Sequence, residues 1–416
     1  MTDETMQAVL ERSNLKKAYR AVRRNQGAAG VDGKSIQQTA AHLRHHWPTI
    51  ATKLAEGRYT PHAVRGVIIP KPNGGERLLG IPTVQDRLIQ QAIAQVLGQR
   101  FEPLFSDHSY GFRPKRSAHD AIKAAQAYLR AGKSWVVDLD ISAFFDQVNH
   151  DILMHRIRRV ESDPQLLRLI GRYLRAPIEV NGKRQPRRCG TPQGGPLSPL
   201  LANIYLDALD KELDKRGLSY CRYADDVVIY VGSERSAQRV MSSISRWIEQ
   251  HLRLKLNRSK SGIGRPWERP YLGFILLEDG RIAPSDKSVE RFKTKVRQLW
   301  DARQSLTSME LVQQWQRYLR GWVQYFGICE VRWSISKVEG WVRRHIRKCF
   351  WLRWHHRKGR LNALKRLGAK WYHLKVASSR RGAWRIAASP ALQAVLNNRT
   401  LKRYGFWMPS DVWPAC

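Results

Sequence analysis

Long apolar runs, paired cysteines and acidic residues are what this 416-residue chain has least of. No stretch is apolar and long enough to span a bilayer, and the first thirty residues are charged and polar without a secretory core. The expectation is therefore a protein without a membrane partner that stays in the cytoplasm. Five cysteines, Cys189, Cys221, Cys329, Cys349 and Cys416, form no Cys-x-x-Cys pair, which argues against a disulfide framework and against a structural zinc site. His150 with His155, and His355-His356, lack the cysteine or acidic neighbours that zinc ligation needs. Internal repeats and low-complexity linkers are missing too. Asp plus Glu number 35 against 73 Lys plus Arg, a net charge of +38, and such an excess calls for a polyanionic partner, nucleic acid first.

The few acids are placed with purpose. Asp225-Asp226 follow Tyr223-Ala224 between Ser219-Tyr220-Cys221-Arg222 and Val227-Val228-Ile229-Tyr230-Val231. Both flanks are rich in β-branched and aromatic residues, so the pair is expected on the tight turn of a hairpin. Upstream, Asp138 and Asp140 interrupt the apolar segment Trp135 to Ile141 at period two and so share one face of a strand. A carboxylate on a buried strand costs several kcal/mol unless it is paired or bound to metal. Laid beside the hairpin, that strand brings carboxylates together, and two divalent cations about 3.5–4 Å apart are the usual remedy in enzymes that make or break phosphodiesters.

Further blocks follow in order: Asp32-Gly33, Tyr59-Thr60-Pro61, Ile69 to Pro82, Ser109-Tyr110-Gly111-Phe112-Arg113-Pro114 and Ser117-Ala118-His119. Then come Asp140-Ile141-Ser142-Ala143-Phe144-Phe145-Asp146, Gly190-Thr191-Pro192-Gln193-Gly194-Gly195-Pro196, Leu256-Asn257 with Lys260, and Tyr271-Leu272-Gly273-Phe274. With them the chain resembles reverse transcriptases, and specifically the reverse transcriptase/maturase proteins encoded by group II introns. It departs at Ser142-Ala143, where many relatives carry Lys-Gly.

The resemblance implies an α+β right-hand polymerase, with fingers and palm followed by an α-helical thumb or maturase domain. The expected boundaries are 1–130 for fingers with an N-terminal extension, 131–280 for the palm within a reverse transcriptase domain of 50–277, and 289–416 for thumb and tail. It implies catalysis by Asp140, Asp225 and Asp226, with two Mg²⁺ ions (Mn²⁺ as a substitute) held by these residues and Ile141. Motif alignment favours Asp140 over Asp138 as the ligand. Lys71 and Arg77 bracket the turn Pro72-Asn73-Gly74-Gly75 and would contact the triphosphate of the incoming dNTP. Gln193 and Lys260 would line the same nucleotide site, and Phe145, five residues after Asp140, would pack under the sugar and exclude a 2′-hydroxyl.

From about residue 289 the composition changes. Residues 291–416 hold 27 Lys plus Arg against 5 Asp plus Glu, and 11 of the 15 tryptophans. Leu311, Trp315, Tyr318, Leu319, Trp322, Tyr325 and Phe326 recur at helical spacing and read as packing core. Arg343, Arg344, Arg347 and Lys348, with Arg353, Arg357 and Lys358, carry too many charges to be buried together and read as an RNA-contacting face. The chain ends without the DNA-binding segment and endonuclease of longer relatives, as expected for the compact class. The implied activity is RNA-directed DNA synthesis from a primer 3′-hydroxyl, with an RNA template, an intron RNA and target DNA as partners. Two other readings use the same residues: a domesticated reverse transcriptase in phage defence or DNA repair, and a protein that is mainly a splicing cofactor. A metal-dependent nuclease would share the carboxylates but not the ordered blocks.

Overall fold

A computed structural model of the chain describes residues 5–70, 74–331 and 333–413. The chain separates into two compact units, Met1–Arg265 and Pro266–Cys416.

Strands of the first unit are, in chain order, β1 (Val64–Pro70), β2 (Glu76–Ile81), β3 (Trp135–Asp140), β4 (Ile178–Val180), β5 (Lys183–Gln185), β6 (Ser219–Tyr223), β7 (Asp226–Val231) and β8 (Gly262–Gly264). They form two four-stranded sheets, ordered β2-β1-β4-β5 and β6-β7-β3-β8. In the second sheet β3 lies between β7 and β8, antiparallel to both, so the acidic strand sits beside the acidic hairpin. Val137, Leu139, Val227 and Ile229 are fully buried and pack in one core with the helices Val84–Phe101 and Ser198–Lys215. The first of these helices buries Leu88, Ile89, Ala92, Ile93 and Leu97 on more than one face, as an interior helix must.

Local chemistry sets the helix starts. Ser35 forms a capping box with Gln38 at the head of Ile36–Ala55, Ser117 does the same with Asp120 for Ala118–Arg130, and Asn149 caps His150–Arg158. The helix Ile36–Ala55 runs through Pro48, which has no N–H to give the preceding turn. The helix Glu234–Trp247 is regular, and its continuation Ile248–Leu252 widens into a π turn.

The second unit opens with the antiparallel pair β9 (Phe274–Leu276) and β10 (Ile282–Pro284) and continues as helices, the longest being Asp286–Leu299, Ser308–Phe326 and Trp333–Arg353. Leu311, Trp315, Leu319, Val323 and Phe326 are the buried face of Ser308–Phe326, and the indole of Trp315 donates to the carbonyl of Trp407 at 2.7 Å. The aromatic periodicity is therefore core packing, joined by Phe292, Trp300 and Phe406.

The cations of this unit differ in exposure. Arg343, Arg344, Arg347 and Lys348 do not form an open cationic face. Arg347 is 8% exposed and donates to the carbonyl of Leu396 at 3.0 Å. Arg344 stacks over the Trp384 ring, 4.2 Å from its centroid, while donating to that residue's carbonyl, and Arg343 pairs with Glu339. Lys348 is half-buried. Long cationic stems bury well when carbonyls and aromatic faces receive the head group, and tryptophan-rich surroundings supply both. Arg353 is likewise half-buried, donating to the carbonyls of Gln304 and Leu306. Arg357 and Lys358 stay exposed. No helix among the described residues is long and apolar enough to cross a membrane.

Candidate active site

The β3–β7 register places Asp140 opposite Asp226 and Asp138 opposite Val228. Directly paired residues on one face of antiparallel strands have Cβ atoms about 4.5–5.5 Å apart, so the two carboxylates start from adjacent stems. Tyr223 pairs with Asp226 to close the β6–β7 hairpin, leaving Ala224-Asp225 as its two-residue turn. Of the acidic pair, only Asp225 lies on the turn; Asp226 is already the first residue of β7. Ala224 takes a left-handed conformation, φ +59°, as one of the favoured two-residue turns requires.

Electrostatics bind the acids into one group. Burial pushes the Asp225 carboxyl up, Asp140 adds to the effect, and the positive charge of Arg77 opposes it. Asp226 is pushed up to about 7, first by burial and then by the charges of Asp138, Asp225 and Asp140. These carboxylates compete for negative charge unless a cation joins them.

The end of β3 is held by the segment that carries Leu256-Asn257 and Lys260. Asn257 donates its N–H to the Asp140 carbonyl at 2.8 Å, and the N–H of Asp140 donates to Ser261 Oγ at 2.9 Å. Ile141 is buried and bridges to Leu256. Lys260 Nζ lies 3.3 Å from Asp140 Oδ2, so this sequence-predicted cation meets Asp140 directly.

Beyond Asp140 the chain turns through Ala143, φ +42°, into the short helix Phe144–Gln147. Glycine would adopt that left-handed position without strain. Phe144 is 2% exposed and packs edge-on against Tyr205, whereas Phe145 is only partly buried. The loop bearing Gln193 adjoins it: Thr191 donates its N–H to the Phe145 carbonyl at 2.7 Å, and the Gln193 carbonyl accepts from Gly80 on β2 at 2.8 Å. A Cβ on Gly194 would come within 2.6 Å of the Gly80 carbonyl oxygen, so this backbone approach requires glycine.

Arg77 is exposed on β2, opposite Ile69. Lys71 lies outside the described residues. Asp140, Ile141, Asp225, Asp226 and Lys260 are thus brought together, Phe145 is linked to the Gln193 loop and that loop to β2, and the charge of Arg77 is felt at Asp225. Arg353, Arg357 and Lys358 belong to the second unit.

Among the described residues no three His, Cys, Asp or Glu side chains form a ready-made metal cage. The donor set nevertheless fits a hard divalent cation: it is all oxygen, it carries several negative charges, and its ionisation is opposed without one. Sequence reasoning missed Arg222, a fully buried arginine on β6 whose partner is the equally buried Asp210. The signal was a charge inside an otherwise apolar strand, which demands a buried partner.

Comparison with known proteins adds a separate line. The family model described as reverse transcriptase (RNA-dependent DNA polymerase) matches residues 69–276, and that of the group II intron, maturase-specific domain matches residues 289–368. Protein YkfC of Escherichia coli (strain K12) is 34% identical, over 63% of this chain and 78% of its own. The group II intron-encoded protein LtrA of Lactococcus lactis subsp. cremoris is 44% identical over 39% of this chain, a stretch that spans 27% of LtrA. Among solved structures, a chain of a "Partial Cas6-RT-Cas1--Cas2 complex" matches 59% of this chain and 42% of its own at 25% identity, with a TM-score of 0.38.

Proposed function

Because the chain belongs to the group II intron-encoded reverse transcriptase/maturase family, we propose that it extends a primer 3′-hydroxyl with dNTPs on an RNA template and binds its intron RNA to assist splicing and mobility. The observation that carries the polymerase reading is the pairing of Asp140 with Asp226 beside the Asp225 turn. Asp140, Asp225 and Asp226, with the backbone of Ile141, would hold divalent metal. Two Mg²⁺ ions, or Mn²⁺ in their place, would lower the pKa of the attacking hydroxyl and neutralise the triphosphate and its leaving pyrophosphate.

This chain's own residues orient the reactants. Arg77 would direct cationic charge at the triphosphate from β2, and Lys71 is proposed for the same role from its place in the sequence. Lys260, already beside Asp140, would add a second cation there. Phe145 would pack under the sugar and exclude a 2′-hydroxyl, and Gln193 would line the same nucleotide site. No covalent enzyme intermediate is needed, since positioning and charge carry the reaction. The exposed cations, Arg357 and Lys358 among them, supply RNA affinity. An RNA-binding role in splicing rests on the maturase-specific match and on the net charge of +38.

The test is primer extension on an RNA template by the Asp225→Ala/Asp226→Ala double variant. Extension should vanish while RNA affinity stays within about twofold, because affinity comes from distributed cations. Normal deoxynucleotide incorporation by this variant would remove the assignment.

A further inference from the structure

The Ser109-Tyr110-Gly111 block has no part in the chemistry above, yet it is tied to the hairpin that carries Asp225. The tie is Arg222, three residues before Asp225. Its guanidinium donates from Nε to Asp210 Oδ1 at 2.7 Å, from Nη2 to Asp210 Oδ2 at 2.5 Å and to Ser109 Oγ at 2.7 Å, and from Nη1 to Asn203 Oδ1 at 3.0 Å and to the Ala224 carbonyl at 2.8 Å. Every N–H of the fork is used. Ser109, Asn203 and Asp210 are at most 1% exposed. Asn203 passes the connection on, donating to the Gly111 carbonyl at 2.9 Å, and the Tyr110 N–H donates to the Arg222 carbonyl at 2.8 Å. Gly111 lies flat against the turn: a Cβ there would overlap the Ala224 nitrogen and stand 2.9 Å from the Tyr223 carbonyl carbon.

We infer that Arg222, fixed by Asp210, Asn203 and Ser109 and backed by Gly111, is a positioning residue that holds the left-handed Ala224 turn, and so sets where Asp225 stands relative to Asp140. The inference rests on the reading of Asp225 as a carboxylate of the polymerase reaction. Two features separate this from mere fold stabilisation. A buried ion pair is seldom more stabilising than well-packed apolar side chains of the same volume, so its worth lies in the geometry it imposes. One of the five bonds also ends on the carbonyl of the strained turn residue itself. Burial works against the charge on Arg222, but the field and hydrogen bonds of Asp210 more than offset it, so the fork stays ionised.

The experiment uses the full chain in primer extension with Mg²⁺ varied, comparing Gly111→Ala, Ser109→Ala and Arg222→Lys with wild type. The control is Ile93→Ala, a core truncation in the helix Val84–Phe101. Gly111→Ala should lower kcat roughly 100-fold and Ser109→Ala about tenfold, as expected for a displaced reacting group. Both should raise the Mg²⁺ concentration giving half-maximal rate several-fold, with KM for template-primer unchanged. Ile93→Ala should lose thermal stability yet keep the wild-type Mg²⁺ requirement. Should Arg222→Lys fail to fold, the two milder variants decide. Wild-type kcat and Mg²⁺ requirement in both would overturn the inference, as would losses that merely follow thermal stability as in Ile93→Ala. Activity surviving in Asp225→Ala would instead overturn the site reading on which the clamp depends.

Discussion

Asp140, the last residue of β3, is the direct register partner of Asp226, the first residue of β7. Burial first, and then the charges of Asp138, Asp225 and Asp140, push the Asp226 carboxyl up to about 7. A carboxyl raised in the folded state contributes stability that is present at low pH and lost as pH rises through the folded value. Without divalent metal, Asp226→Asn should therefore match wild type near pH 4 and become the more stable protein by pH 8, by on the order of 2–4 kcal/mol. Mg²⁺ at pH 8 should raise the Tm of wild type more than that of the variant. Melting curves across pH, with and without Mg²⁺, are the measurement; parallel curves for the two proteins would contradict the linkage.

Phe144 and Phe145 are neighbours with opposite fates, one 2% exposed and the other partly open. Phe145→Ala should let ribonucleotides in, at least tenfold over wild type in single-nucleotide incorporation, with little loss of stability. Phe144→Ala should cost about 3–5 kcal/mol of folding stability and leave sugar discrimination unchanged. Relaxed discrimination in the Phe144 variant alone would move the sugar contact to that ring.

Ala143 holds φ +42° at the exit from the acidic strand. Glycine tolerates this conformation, so Ala143→Gly should raise stability by about 0.5–1 kcal/mol after the entropy glycine brings to the unfolded chain is deducted. Urea unfolding reads this directly. A destabilised variant would mean the methyl group contributes packing that outweighs backbone strain.

The two surviving exposed cations and the buried arginine of the C-terminal unit should behave differently. Arg357→Gln/Lys358→Gln should make the log–log salt slope of RNA binding shallower by about 1.5, at roughly 0.7–0.9 per phosphate contact. Arg347→Gln leaves the Leu396 carbonyl without its donor and should instead cost about 1–3 kcal/mol of stability. Salt titrations on folded protein separate the two. An unchanged slope for the double variant would make that pair a solvated surface.

The sequence by itself determined the parts of this protein that repeat on a short period or occupy adjacent positions. Alternation marked β3, the hairpin flanks marked β6 and β7, and helical spacing marked Leu311, Trp315, Leu319 and Phe326 as core, because strand pleat and helix pitch impose those periods directly on side chains. The ordered blocks marked the family. Tertiary structure alone decided which charges meet. Arg344 and Arg347 look solvent-bound within a run of cations, but Trp384 and Leu396 arrive from 40 and 49 residues away to receive them. Arg222 finds Asp210, Asn203 and Ser109 by the same means, the last 113 positions upstream. Burial of a charge depends on partners that only the folded chain assembles, and no local pattern in one sequence records where they come from.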